Sequence, residues 1–282
     1  MTAELFVLTL ARAQVAASAA ILLVLAIRPL ARRLLGAEFA YRLWVLAPVA
    51  GLTSLFPSLA DFAGAAPAPA VRPPFLDGPL PHSDALLAAW AAGAALTLAL
   101  FVTAEARFRR LARRGLAGPA VVGLTWPRMV TPSDYVQRFD AAERGFIRQH
   151  ERAHIARCDP QASGFVAAMQ TLFWFNPLVH AAAGAVRLDQ ELACDAAVIE
   201  RRPEIRRAYA ATLMKAHMTR PGSRLACAWA AAGRHPLETR IRMLNRPSLS
   251  LGQYMAGAAA VLAASVGVAL TIWGLSPEFP LH

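Results

Sequence analysis

Four long apolar stretches constrain this chain more than any other feature of its sequence. A helix needs about 20 apolar residues to cross a hydrocarbon core about 30 Å thick. The stretches cover residues 5–27, 43–60, 85–104 and 254–275. Hydrophobic residue types make up 56% of the chain and charged types 17%, whereas soluble domains carry about 25% charged residues. The pattern predicts a mainly α-helical membrane protein with four transmembrane helices.

The first stretch is interpreted as a retained span rather than a cleavable signal peptide. Glu4 precedes it, no basic segment stands before it, and Arg28, Arg32 and Arg33 follow it. Because positive residues mark the cytoplasmic end of a span, we expect the N-terminus outside.

The remaining charge alternates as this orientation requires. Residues 105–253 carry 22 arginines and one lysine against 12 acidic residues, whereas the proline-rich loop 61–84 holds a single arginine. We therefore expect the long segment in the cytoplasm, in a bacterial-type inner membrane. The predicted organisation is a three-span membrane domain (1–104), a cytoplasmic domain (105–253), a fourth span (254–275) and a short outer tail (276–282).

The formal net charge of +11 also raises the possibility of nucleic-acid binding. No helix-turn-helix, zinc-finger or RNA-binding signature accompanies the arginines. Contact with anionic membrane lipids explains the charge with fewer assumptions. Membrane lipids are therefore an expected partner, and direct nucleic-acid binding is not expected.

The long segment begins with two local structural signals. Short β-prone runs at 120–124 and 129–131 predict a small hairpin. Asp140 followed by Glu143 predicts a capping box at the start of a helix, and that helix runs into His150-Glu151-Arg152-Ala153-His154.

This HExxH motif predicts a zinc site. On a helix, His150 and His154 lie on one face about one turn apart, so both imidazoles can reach a single Zn²⁺. Glu151 would then act as the general base of a peptidase. The alternative is an amphipathic helix with two surface histidines.

The sequence after the motif offers further candidate groups. Residues 160–186 carry no formal charge, and Asn176-Pro177 predicts a helix break. Residues 160–175 of this segment could form a partial membrane insertion or a soluble core helix. Beyond them, Glu191 and Asp195 lie four residues apart on the next predicted helix. One carboxylate can bind metal while the other receives the second ring N–H of a histidine; a solvated polar face is the alternative.

Three segments together resemble the integral-membrane zinc metallopeptidases of the BlaR/MecR antirepressor type: His150–His154, Phe173–Val179 and Glu191–Asp195. Four spans with a peptidase between the third and fourth is also that family's layout. The resemblance implies a gluzincin site holding one zinc ion, with His150, His154 and Glu191 as ligands. It also implies that Glu151 is the base and that Asp195 supports a ligand.

The resemblance also implies a function in signal transduction. The expected activity is hydrolysis of a cytoplasmic protein, such as a winged-helix transcriptional repressor, and of the chain itself. Antibiotic-sensing members carry a penicillin-binding domain after the fourth span, and we expect this chain to lack that domain. A membrane quality-control zinc protease and a non-catalytic membrane scaffold or receptor are the alternatives.

Two further polar residues follow the predicted ligands. His235-Pro236 with Arg240-Ile241 resembles a segment found after the third ligand in related membrane gluzincins. His235 and Arg240 are therefore candidates for oxyanion stabilisation or substrate contact. The alternative is a surface turn that leads into a helix.

Overall fold

The computed structural model describes residues 2–56, 81–200, 202–218, 236–247 and 249–275. Its helices are α1 (Ala3–Leu34), α2 (Gly36–Arg42), α3 (Leu46–Thr53), α4 (Ser83–Arg113), α5 (Tyr135–Arg138), α6 (Ala141–Ala156), α7 (Asp159–Leu172), α8 (Pro177–Glu200), α9 (Arg206–Met218), α10 (Pro236–Leu244) and α11 (Leu251–Leu275). Short 3₁₀ turns cover Leu43–Val45 and Pro203–Ile205. The prediction of a mainly helical chain is confirmed.

A small antiparallel sheet follows α4. Strand β1 (Ala120–Val122) pairs with β2 (Arg128–Val130), and Val121 lies opposite Met129. The predicted hairpin is therefore confirmed, with strands of three residues each.

Three described helices are long and apolar enough to cross a membrane: Ala3–Leu34, Ser83–Arg113 and Leu251–Gly274. They correspond to the first, third and fourth predicted spans. The second predicted span, 43–60, is described only to residue 56, as the 3₁₀ turn Leu43–Val45, α3 and a short turn. The count of four spans therefore stays a prediction, and most of the proline-rich loop and the tail lie outside the described residues.

Small side chains let α1 and α3 approach closely. Ala16 and Ala20 of α1 form a buried cluster with Ala50 of α3, which suits helix contacts where lipid surrounds the helices. In contrast α4, described along its whole length, buries none of its side chains. Leu96 and Leu100 are 63% and 61% exposed. This outward apolar surface matches a helix that faces hydrocarbon.

Helix α8 lies at the centre of the fold and positions the site. It contacts α1, α2, α6, α7 and α10. On one side, Val198 and Ile199 pack with Phe146 of α6, Tyr209 of α9 and Leu244 of α10. The two helices that carry the predicted site residues, α6 and α8, are therefore held against each other by a shared apolar core.

Candidate metal centre

Helix α6 presents the HExxH motif to the interior. Glu143 N–H donates to Asp140 Oδ1 and Asp140 N–H donates to Glu143 Oε2, both at 2.8 Å, so the predicted capping box is confirmed. A cap of this kind stabilises a helix by about 0.5–2 kcal/mol. His150 and Glu151 are 7% and 6% exposed. The buried face of α6 therefore carries polar side chains, which need partners there.

His150 finds its partners on α8 and α9. Its Nδ1 lies 2.9 Å from the Tyr209 hydroxyl and 3.2 Å from Asp195 Oδ1. The Tyr209 hydroxyl itself donates to Asp195 Oδ1 at 2.7 Å. Since both acceptors lie on the Nδ1 side, the network assigns the ring proton to Nδ1. The Nε2 lone pair of His150 then faces away from Asp195.

His154 is oriented in the same way by another carboxylate. Its Nδ1 lies 2.8 Å from Asp159 Oδ2, so that Nδ1–H donates to this carboxylate. Its Nε2 lies 3.1 Å from His150 Nε2. When both rings are neutral with their protons on Nδ1, two lone pairs face each other at this distance, and either a proton or a metal cation between them relieves their repulsion.

Glu191 completes the set of donors. Its two carboxylate oxygens lie 3.4 Å from His150 Nε2 and 3.7 Å from His154 Nε2. Ligand atoms of these three residues all lie within 4.8 Å of one another. Two imidazoles and one carboxylate are the ligand set of His₂Glu zinc peptidases. The side chains present therefore fit a zinc ion.

Arg240 of α10 ties the two carboxylates of α8 together. Its Nε and one terminal nitrogen donate to the two oxygens of Asp195, each at 2.8 Å. Its other terminal nitrogen lies 2.6 Å from Glu191 Oε2. The structure thus brings Arg240 into the predicted site, whereas His235 lies outside the described residues.

The electrostatics of the site follow from burial and these ion pairs. Burial alone would raise the pKa of Asp195, but Arg240 outweighs it and lowers the pKa to about 2. Burial likewise disfavours ionised Glu191, yet Arg240 and the histidines hold its pKa well below the usual range. Desolvation lowers the pKa of His150, and hydrogen bonds to Asp195 and Glu191 raise it to about 9. Both carboxylates stay ionised at neutral pH, so the site favours positive charge.

Two residues of the site were missed by sequence reasoning. Asp159-Pro160 suggests only the first turn of a helix, and Tyr209 lies in an unremarkable Ala-Tyr-Ala segment. Asp159 is indeed the first residue of α7, but its side chain is buried beside His154. An acidic residue five positions after the second histidine was the available signal. No local signal marks Tyr209.

Cys194 lies beside the second histidine. Its sulfur is 3.3 Å from His154 Nδ1 and 3.4 Å from Asp159 Oδ2. The residue is fully buried, and burial followed by the negative charge of Asp159 raises the pKa of the thiol. A protonated thiol is a poor metal ligand. The geometry supports a packing role for Cys194.

The site opens into a cavity of about 1110 Å³. Its wall includes Glu151 and Arg240, the strand β1 and residues of α4 between Phe101 and Arg113. The candidate site is therefore open to a large ligand, and it lies next to a helix of membrane-spanning length.

These features define a class of helical protein that combines helices of membrane-spanning length with a His₂Glu group able to hold a metal ion. The sequence profile of the family described as BlaR1 peptidase M56 matches residues 8–73 and 111–244, more than half of the chain. The chain therefore belongs to this family, a membrane family of signal-transducing proteases.

A curated relative gives a narrower comparison. The regulatory protein BlaR1 of Bacillus licheniformis is 32% identical over 109 residues, which is 36% of this chain and 18% of that protein. The chain thus spans less than a fifth of this relative's length in the alignment. No solved structure matches.

Proposed function

We propose that this chain is a membrane-embedded zinc metalloendopeptidase of the gluzincin type. The observation that carries the proposal is the convergence of His150, His154 and Glu191 within 4.8 Å. Membership of a peptidase family supports it. His150 and His154 of α6 and Glu191 of α8 would hold one zinc ion.

When bound, zinc supplies a Lewis acid that polarises the scissile carbonyl and favours ionisation of water. Glu151 lies on the same helix as both histidines and lines the cavity. Its carboxylate accepts a proton from the attacking water and returns it to the leaving amine. Glu151 is 6% exposed and borders the cavity.

The remaining polar residues orient the ligands. Asp195 and Tyr209 fix the ring of His150, and Asp159 fixes the ring of His154. Hydrogen bonds of this kind set the tautomer that exposes Nε2 to the metal. Arg240 holds Glu191 and Asp195 in place. Because Arg240 also lines the cavity, its predicted role in oxyanion stabilisation is part of this proposal.

We propose that the substrate is a cytoplasmic protein, in particular a winged-helix transcriptional repressor. The chain itself is a second proposed substrate. Membership of a family of signalling proteases supports this class over quality control of misfolded membrane proteins. The proposed topology has four spans in a bacterial-type inner membrane, with residues 105–253 on the cytoplasmic side. The alternation of arginine-rich and arginine-poor segments supports this orientation.

The substitution Glu151→Gln tests catalysis separately from metal binding. The amide keeps the size of the side chain but cannot accept the proton, and a general base contributes about 10²–10⁴-fold in rate. The protein is purified in detergent with zinc and incubated with a candidate winged-helix repressor. Mass spectrometry then detects fragments of either protein.

Glu143→Gln is the matched control, because Glu143 lies on the same helix but caps its first turn. We expect the control to cleave like the parent and Glu151→Gln to lose cleavage while keeping its zinc. If Glu151→Gln cleaves as fast as the parent, Glu151 is not the catalytic base; if neither protein cleaves, the scaffold hypothesis replaces the peptidase.

A further inference from the structure

The charge-free segment between the two halves of the site packs among helices of membrane-spanning length. Residues 160–186 form most of α7, a turn, and the first half of α8. Phe173, Val179 and Ala182 belong to the same buried cluster as Ile21 and Val24 of α1. Helix α7 also contacts α4. This segment therefore lies beside two of the three candidate spans.

The turn between α7 and α8 contacts α4 and α1 far from the C-terminal ends of these two helices. Trp90 Nε1 of α4 donates to the Leu172 carbonyl at 2.8 Å, and Asn176 Nδ2 donates to Ser18 Oγ of α1 at 2.9 Å. Trp90 precedes Ala104, the end of the apolar stretch, by about 21 Å of helix. Ser18 precedes Arg28 by about 15 Å of helix. In a core about 30 Å thick, the turn lies near or beyond the midplane.

Charged residues indicate the level of the cytoplasmic boundary on α1 and α8. Asp189 of α8 is fully buried and pairs with Arg28 and Arg32 at the end of α1. These charges follow the apolar part of both helices. The metal centre, with Glu191 two residues beyond Asp189, therefore lies at the level of this boundary.

The backbone of the turn is satisfied by side chains, as hydrocarbon surroundings require. The Asn176 side chain accepts from Leu178 N–H at 2.8 Å at the start of α8. His180 Nε2–H donates to the Trp174 carbonyl at 2.8 Å, and its Nδ1 accepts from Gln170 at 3.0 Å. In water a solvent molecule could serve these groups, whereas in lipid each group needs a partner in the protein.

The outward surface of the segment is apolar and aromatic. Phe165 and Phe175 are 43% and 49% exposed, and Trp174 is 36% exposed. The Trp174 indole lies directly over Gly93 of α4, where an added methyl group would overlap it. Aromatic side chains directed outward from a charge-free helical pair suit contact with acyl chains.

We infer that residues 160–186 form a re-entrant hairpin, which enters the hydrocarbon core from the cytoplasmic face and returns to that face at the metal centre. Its partner is the acyl-chain region of the bilayer. The inference rests on the proposed membrane placement of α1 and α4, and it takes these residues out of the cytoplasmic segment 105–253. The metal centre then lies at the membrane surface, where a substrate must present its scissile bond.

A nitroxide spin label at Phe175→Cys tests the inference. The background is Cys158→Ser with Cys227→Ser, and Cys194 stays because its buried thiol is shielded from the reagent. The full chain is reconstituted in phosphatidylethanolamine–phosphatidylglycerol vesicles, and accessibility to oxygen and to a water-soluble nickel complex is measured. Leu98→Cys on the outward face of α4 is the lipid control, and Ala197→Cys on the exposed end of α8 is the aqueous control.

We expect the Phe175 label to match the Leu98 label, with oxygen accessibility high and nickel accessibility at least several-fold below that at Ala197. A Phe175 label as accessible to nickel as the Ala197 label would overturn the inference. If the Leu98 label is itself open to nickel, α4 does not span the membrane and the inference fails with that placement. If the Phe175→Cys variant does not fold, the same accessibility measurement is made on a label at Phe165→Cys, with the same expected and contradicting results.

Discussion

Arg32 Nε donates to Asp189 Oδ1 at 2.7 Å and so joins the end of α1 to α8, two residues before Glu191. Arg28 and Trp44 Nε1 donate to the other oxygen of Asp189, at 3.0 and 2.8 Å. The carboxylate is fully buried and its partners are mostly buried. The helix that carries the predicted third ligand is therefore held by charge to the first candidate span.

Asp189→Ala should destabilise the protein strongly. Removing one partner of a buried ion pair leaves uncompensated charge and costs about 3–5 kcal/mol. The thermal unfolding midpoint in detergent, followed by circular dichroism, measures the loss. Glu105→Ala is the control, because its pair with Arg109 is half exposed and is worth about 1 kcal/mol or less. Equal midpoints for both variants would show that the contact with α1 does not stabilise the fold.

Arg240→Met should weaken metal binding in the protein that remains folded, in addition to the stability lost when the buried Asp195 loses its partner. The guanidinium holds Glu191 and Asp195, and loss of such a supporting contact reduces metal affinity or activity by about 10–100-fold. Competition with a fluorescent zinc chelator measures the affinity. Arg242→Met is the control on the same helix, since its partner Glu238 is half exposed and away from the ligands. Unchanged zinc affinity in Arg240→Met would argue against the orienting role.

Gly93→Ala should loosen the contact between α4 and the turn after α7. The added methyl group overlaps the Trp174 indole, and overpacking of this kind costs about 1–3 kcal/mol. Gly267→Ala on α11 is the control, because among the described residues nothing beyond its own chain neighbours and helix backbone lies within 4 Å of the added methyl group. There the exchange should be neutral or stabilising by up to about 1 kcal/mol. The unfolding midpoints of the two variants are compared. A stabilised Gly93→Ala protein would contradict the packing described here.

Local features of this fold could be predicted from the sequence. The capping box at Asp140 depends on residues three positions apart, and the break at Asn176-Pro177 depends on the missing N–H and fixed backbone of proline. The hairpin strands follow from short β-prone runs. Each of these features is decided by neighbours in the chain.

Contacts between distant segments could not be predicted in this way. Tyr209 lies 59 residues from His150, and the pairing of Asp159 with His154 depends on how α7 leaves the end of α6. The sequence does not decide the depth of residues 160–175, because an apolar segment has the same composition in a protein core and in lipid. The contacts of the turn with Trp90 and Ser18 are the observations that support the inferred insertion.

Zinc content per purified chain tests the central claim most directly. Mass spectrometry of the metal in the detergent-purified parent, Glu151→Gln and His154→Ala proteins gives this number for each. A site built from His150, His154 and Glu191 predicts about one equivalent in the first two proteins and a near-background level in His154→Ala. A full equivalent retained by a folded His154→Ala protein would contradict the assignment of the metal centre.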